Sequence, residues 1–188
     1  TPEQGAVLQA GWSGITDADG LDPQTGSVQW LRDGVEIGGA TGPAYQLGQP
    51  DVGSEIGFVY RYTDRFGTRE EIVSATLGPI ENINDEPTGQ VQVDGDLREG
   101  ATLEVRTSDI ADADGIRPGT PSVQWMRNSV DIAAATGTAL ILEQIDVGAD
   151  LSVRYSYVDA FGMIETVTSS ALGPVENVND LPQGMLRI

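Results

Sequence analysis

The sequence predicts an all-β chain made of two tandem antiparallel sandwiches, on three observations. Apolar residues alternate with polar ones at a period of two, no segment sustains a helical period, and nearly every recognisable feature recurs at an offset of 95 residues. Val28-Gln29-Trp30 returns as Val123-Gln124-Trp125, Asp17-Ala18-Asp19-Gly20 as Asp112-Ala113-Asp114-Gly115, and Asp51-Val52-Gly53 as Asp146-Val147-Gly148. Tyr60 and Tyr62 return as Tyr155 and Tyr157, Phe66-Gly67 as Phe161-Gly162, and Asn82-Ile83-Asn84-Asp85 as Asn177-Val178-Asn179-Asp180. A period this long exceeds that of most solenoid repeats and approaches the size of an independent domain, so each copy is expected to bury its own core.

Each strand follows from the alternation. Ala101, Leu103 and Val105 interleave with Thr102, Glu104 and Arg106, which describes a strand with one buried face; Ala6, Leu8 and Ala10 repeat it. Val28 and Trp30 point one way with Gln29 between them. Asp33-Gly34 then reads as a hairpin turn before Val35 and Ile37, with Asn128-Ser129 as its counterpart. Tyr45 and Leu47, or Leu140 and Leu142, mark a shorter strand. Ile56, Phe58, Tyr60 and Tyr62, matched by Leu151, Val153, Tyr155 and Tyr157, form the longest inward row. Phe66-Gly67 and Phe161-Gly162 lie in the last hairpin. Gly, Asp, Pro and Thr clusters punctuate the intervals at sandwich spacing. Trp30 and Trp125 are expected in the core, whereas Trp12, whose counterpart is Thr107, either covers an edge or is exposed.

The repeats set expected boundaries at residues 1–86, 87–182 and 183–188. Thr1 aligns with Asp96, so the first copy is expected to lack its opening strand. Gly184-Met185-Leu186-Arg187-Ile188 aligns with Gly89-Gln90-Val91-Gln92-Val93, the expected start of a third copy. The chain therefore reads as an excerpt of a longer tandem protein, with any leader or anchor outside it. The unpaired edge of the first copy and the Met185–Ile188 segment together suggest strand exchange between chains.

Composition narrows the partners. The formal net charge is −19, the isoelectric point is near 4.1, and all ten basic residues are arginine. Nucleic acid and anionic membranes need clustered Lys/Arg and are poor partners for such a surface. A divalent cation suits it; acidity that merely keeps a long extracellular protein soluble is the competing account. With neither histidine nor cysteine, the usual ligands of zinc, copper and haem and the Ser/His/Asp and Cys/His nucleophile systems are missing, and the segment is not expected to be an enzyme. No apolar run has transmembrane length.

The tryptophan strand, turn, strand, Asp-x-Gly corner and tyrosine strand together resemble an immunoglobulin-type sandwich of the bacterial, cysteine-free kind. The stretch Val28 to Gly42 resembles repeats of giant RTX-type adhesins and related large calcium-dependent secreted proteins. The closing segments Asn82-Ile83-Asn84-Asp85-Glu86-Pro87 and Asn177-Val178-Asn179-Asp180-Leu181-Pro182 are similar to the cadherin linker Asp-x-Asn-Asp-x-x-Pro. They depart from it by asparagine at the first position and by a proline one residue early. The resemblance implies two immunoglobulin-like (cadherin-like) sandwiches on the surface of, or secreted from, a bacterium.

Calcium takes roughly six to eight oxygens at about 2.3–2.6 Å, supplied by loop side chains, carbonyls and water. Asp112 and Asp114, separated by one small residue, can address one point, with Gly115 turning the chain away. In an immunoglobulin-like topology Asn84 and Asp85 approach Asp112, Asp114 and Asp159. Asp17, Asp19 and Asp64 form the equivalent set in the first copy, and Asn179 and Asp180 the next linker. The frame does not fit an EF-hand. Taken alone, Asp-Ala-Asp-Gly reads more readily as a capped turn than as a ligand loop, and the linker and the acidic balance are what favour calcium. Asp51 and Asp146 read as corner residues, not ligands. The expected role is a calcium-rigidified spacer or stalk in contact with neighbouring repeats, in an adhesin. The alternative is a glycan- or protein-binding accessory module attached to a secreted enzyme.

Overall fold

A computed structural model describes residues 1–188 apart from Pro23, Leu186 and Ile188. Among the described residues the regular structure is β-strand with two short 3-10 turns, Gln49–Asp51 and Gln144–Asp146. No helix among them is long and apolar enough to cross a membrane. The all-β expectation is met, with every paired strand antiparallel.

The chain divides into two compact units, Thr1–Ile83 and Asn84–Ile188. Asn84 to Glu86, grouped with the first repeat on sequence spacing, thus fall in the second unit, where Asn84 and Asp85 make the hydrogen bonds described below.

The first unit contains β1 (Val7–Gln9), β2 (Ser27–Arg32), β3 (Val35–Glu36), β4 (Ala44–Gln46), β5 (Ile56–Thr63) and β6 (Arg69–Val73). One sheet has the order β3-β2-β5-β6 and the other pairs β1 with β4. Val28, Trp30, Leu47, Ile56, Tyr60, Tyr62 and Ile80 form its core, with Ala6, Leu8, Tyr45 and Phe58 packed partly buried around them. The inward rows are those the alternation specified. Trp12 is 37% exposed and stacks on Tyr60, with ring centroids 5.3 Å apart. It therefore covers an edge of this core.

The second unit contains β7 (Gln92–Asp94), β8 (Thr102–Arg106), β9 (Ser122–Arg127), β10 (Val130–Asp131), β11 (Ala139–Ile141), β12 (Leu151–Val158) and β13 (Ile164–Thr168). Its sheets have the orders β10-β9-β12-β13 and β11-β8-β7. Val91, Leu103, Val123, Trp125, Leu142, Leu151, Val153, Tyr155 and Tyr157 share the core, drawn from both sheets in a sandwich-like arrangement. Fully burying side chains of this size contributes about 1.5–3 kcal/mol each. The smaller sheet has three strands here and two in the first unit.

Local chemistry explains the turns. Asp33 and Gly34 have φ of 47° and 78°, and Asn128 and Ser129 have φ of 48° and 66°. Two successive positive φ values are what a two-residue hairpin with right-handed strand twist requires. Asp51, 1% exposed, accepts from Arg32 Nε at 2.8 Å, Gly48 N at 2.8 Å and the Tyr45 hydroxyl at 3.0 Å, so it is a corner residue, as its position suggested. Asp146 does the same with Arg127 and Glu143 N. The outward Gln29 and Gln124 are not idle: their amides bridge two main-chain carbonyls each, on Trp30 and Ile37 and on Trp125 and Ile132. Met185 is exposed. The strand exchange suggested for Met185–Ile188 falls largely on Leu186 and Ile188, outside the described residues.

Candidate metal centre

The loop between β8 and β9 carries Asp112-Ala113-Asp114-Gly115. Asp112 Oδ1 accepts from Asp114 N at 2.8 Å, and Gly115 N donates to the Asp112 carbonyl at 3.1 Å. Gly115 has φ +81°, a left-handed conformation that glycine adopts without a Cβ penalty. The capped-turn reading of this loop is therefore correct as far as it goes. Tyr157, projecting from β12, fixes the other oxygen: its hydroxyl donates to Asp112 Oδ2 at 2.5 Å. Burial, and next that hydrogen bond, hold the Tyr157 hydroxyl well above the usual phenol range.

The entry segment of the second unit lies along this loop. Thr88 and Ala111 exchange main-chain hydrogen bonds of 2.8 and 3.0 Å, and Asp85 N donates to Asp114 Oδ2 at 2.8 Å. Asn84 Nδ2 donates to Glu165 Oε1 on β13 at 2.9 Å. The β12–β13 hairpin completes the cluster. Asp159 Oδ1 accepts from Phe161, Gly162 and Met163 N at 2.9, 2.5 and 2.7 Å. Ala160 N reaches the Gly115 carbonyl at 3.1 Å, tying hairpin to loop. Arg117 donates to the Ala160 carbonyl at 3.2 Å from the exposed side.

Two oxygens in this cluster have no hydrogen-bond partner although they are buried: Asn84 Oδ1 and Asp159 Oδ2. Asp159 is 0% exposed. A buried acceptor left without a donor costs about 1–3 kcal/mol, more when charged, and native structures rarely tolerate one without a ligand or function. Among the described residues, no group of three or more Asp, Glu, His or Cys side chains stands where it could hold a metal ion as placed. The donor set nevertheless suits a hard cation: carboxylates, an amide oxygen and nearby carbonyls, with no nitrogen or sulfur. Calcium thus fits the chemistry of these residues, and side-chain rotation is needed to gather them.

The structure brings Asn84, Asp85, Asp112, Asp114 and Asp159 to one end of the second unit and adds Glu165, which the sequence reading did not name, and Tyr157, which it placed only in the core row. Their signal was available in the repeat, since Glu70 and Tyr62 occupy the same places in the first copy. In the first unit Asp17 Oδ1 accepts from Asp19 N and Asp17 Oδ2 from the Tyr62 hydroxyl, each at 2.8 Å. That hydrogen bond first, and burial second, push the Tyr62 hydroxyl up to about 12. Asp64 accepts from Phe66 and Thr68 N, and the Thr68 hydrogen bond above all lowers its carboxyl below the ordinary range. Asp19 and Glu70 are exposed, and the Arg65 side chain lies over Gly20. Asn179 and Asp180 are exposed, with Asn179 Nδ2 donating to the Asp180 carbonyl.

No known protein family matches the chain, and no curated protein matches it significantly.

Proposed function

We propose that the chain is a pair of immunoglobulin-like, cadherin-like modules serving as a spacer or stalk in a large secreted or surface-exposed bacterial protein of the adhesin kind, with calcium stiffening the entry segment of each module. The observation that carries the metal assignment is the pair of buried oxygens on Asn84 and Asp159 that lack hydrogen-bond donors beside the Asp112–Gly115 loop and the β12–β13 hairpin. Asn84, Asp85, Asp112, Asp114 and Asp159 would hold the ion, and calcium would supply the positive charge that carboxylates crowded at short range require. The chain's own residues do the rest: Tyr157 orients Asp112, the hairpin amides orient Asp159, and the Thr88–Ala111 pair keeps the entry segment against the loop. Spacer function follows from the repeat, because stiffness at each entry segment sets how far an array projects.

Calcium titration by calorimetry, with thermal melting and small-angle scattering in calcium and in chelator, tests this. Calcium is expected to bind, raise the melting temperature of the second unit and reduce the conformational spread. Identical melting and scattering in both conditions would leave a metal-independent string of β-modules.

A further inference from the structure

We propose that a cleft beside Tyr155 in the second unit receives an aromatic side chain from another protein, a tryptophan set between basic residues of an extended peptide. The cleft has a volume of about 260 Å³ and is lined by Val105, Thr107, Val123, Thr136, Thr138 and Tyr155, with Pro121 as a further wall. Val123 and Tyr155 are buried at its floor, whereas Thr136 and Thr138 are exposed at its mouth. Val105 N donates to the Thr138 carbonyl at 2.8 Å, so the cleft lies on the β11 side of β8, away from β7.

The first unit shows what this place in the module accepts. Thr107 corresponds to Trp12, and both begin the same turn: Ile110 N donates to the Thr107 carbonyl at 3.1 Å, and Ile15 N to the Trp12 carbonyl at 3.2 Å. From that turn the Trp12 indole lies on Tyr60, the counterpart of Tyr155, with 13° between the ring planes. Gly26 makes room for the stack, since a Cβ there would meet the Tyr60 hydroxyl at 2.1 Å. Its counterpart is Pro121, so the two places differ in shape. Tyr155 is 7% exposed, and a guest ring therefore meets its rim in the edge-to-face arrangement that aromatic pairs favour, without covering its face.

Charge selects the flanks of the guest. The lining is uncharged, whereas the chain carries a net charge of −19. A neutral ring enters without desolvating an ion, while basic residues beside it are drawn to the surrounding surface and acidic ones are repelled. Aromatic anchors seated in pockets dominate recognition of this kind.

Amide NMR shifts of the isotope-labelled chain, titrated with an acetylated tripeptide of tryptophan between two lysines, test this. Saturable shifts are expected at Thr107, Thr136 and Thr138. A peptide with glutamates in place of the lysines should bind more weakly at low salt, and one with alanine in place of the tryptophan should not bind. Thr107→Trp, which fills the cleft from within, and Thr138→Arg, which blocks its mouth, should each weaken binding by about tenfold or more. Thermal melting checks that both variants are folded. Shifts that do not saturate, equal binding of the alanine or glutamate peptide, or binding that survives both substitutions overturns the proposal. The calcium reading stands apart from every one of these outcomes, because Asp112, Asp114 and Asp159 take no part in the cleft.

Discussion

Exchanging Asp159 for asparagine separates the hairpin role of this carboxylate from its proposed role as a calcium ligand. Its Oδ1 accepts three main-chain N–H groups of the hairpin, and its Oδ2 is buried with no partner. Asparagine keeps an oxygen for the hairpin amides and removes the charge that the proposed calcium ion would need. A ligand that binds only the folded state stabilises it by RT ln(1 + [L]/Kd), about 2.7 kcal/mol at a hundred times Kd. If loss of the charge weakens binding about a hundredfold, the variant gains only about 0.4 kcal/mol at the same concentration. For a unit of this size each kcal/mol moves the midpoint by roughly 4–8 °C. Calcium should therefore raise melting of the second unit by about 10–20 °C in the unsubstituted chain and by less than about 4 °C in the variant. Differential scanning calorimetry in calcium and in chelator measures both increments. Comparing increments cancels whatever the substitution does to the metal-free fold. An increment that survives Asp159→Asn would refute the assignment of Asp159 Oδ2 as a ligand.

Other predictions address the scaffold. Asp51→Ala strips the acceptor from Arg32, Tyr45 and Gly48; removing one partner of a buried pair costs about 3–5 kcal/mol. Arg32 is 32% exposed, so water recovers part of that, and urea denaturation should show a loss of about 2–3 kcal/mol confined to the first unit. Gly89→Ala should destabilise the second unit by about 2 kcal/mol or more, because φ is +89° and a Cβ would sit 1.9 Å from the Asp109 carbonyl oxygen. Gly100→Ala, at φ +79° with open space around it, should cost about 1 kcal/mol, and hydrogen exchange at Thr88 and Ala111 should rise only in the Gly89 variant. Tyr62 has its pKa raised from 10.0 to about 12. Its contribution to stability is fully present below pH 10 and is lost as the pH rises towards 12, since the folded state favours the protonated phenol. Tyrosinate absorbance titration should show this late step, and Tyr62→Phe should abolish it.

The strand pattern was legible because burial on one face of a strand writes a period of two into the sequence. Trp30, Leu103 and Tyr157 were recognisable as core from alternation alone, and Asp33-Gly34 as a turn because few residues accept two positive φ values. The acidic loops were legible because the repeat isolates Asp112 and Asp114 from the other carboxylates. Glu165 was not, since a glutamate on a final strand looks like any solvated polar position until strand register sets it opposite Tyr157. Nor did spacing reveal the bridging amides of Gln29 and Gln124, which depend on carbonyls from a neighbouring segment.

By itself the sequence determined the repeat, the all-β class, the inward rows and the acidic loop positions, all properties carried by local periodicity and by residue type. Tertiary structure alone decided that Asn84 and Asp85 belong with the second unit, that Trp12 covers Tyr60, and that Asp159 and Asn84 bury oxygens without donors. The physical reason is that hydrogen-bond satisfaction and desolvation depend on which distant segments meet, and no local pattern encodes that.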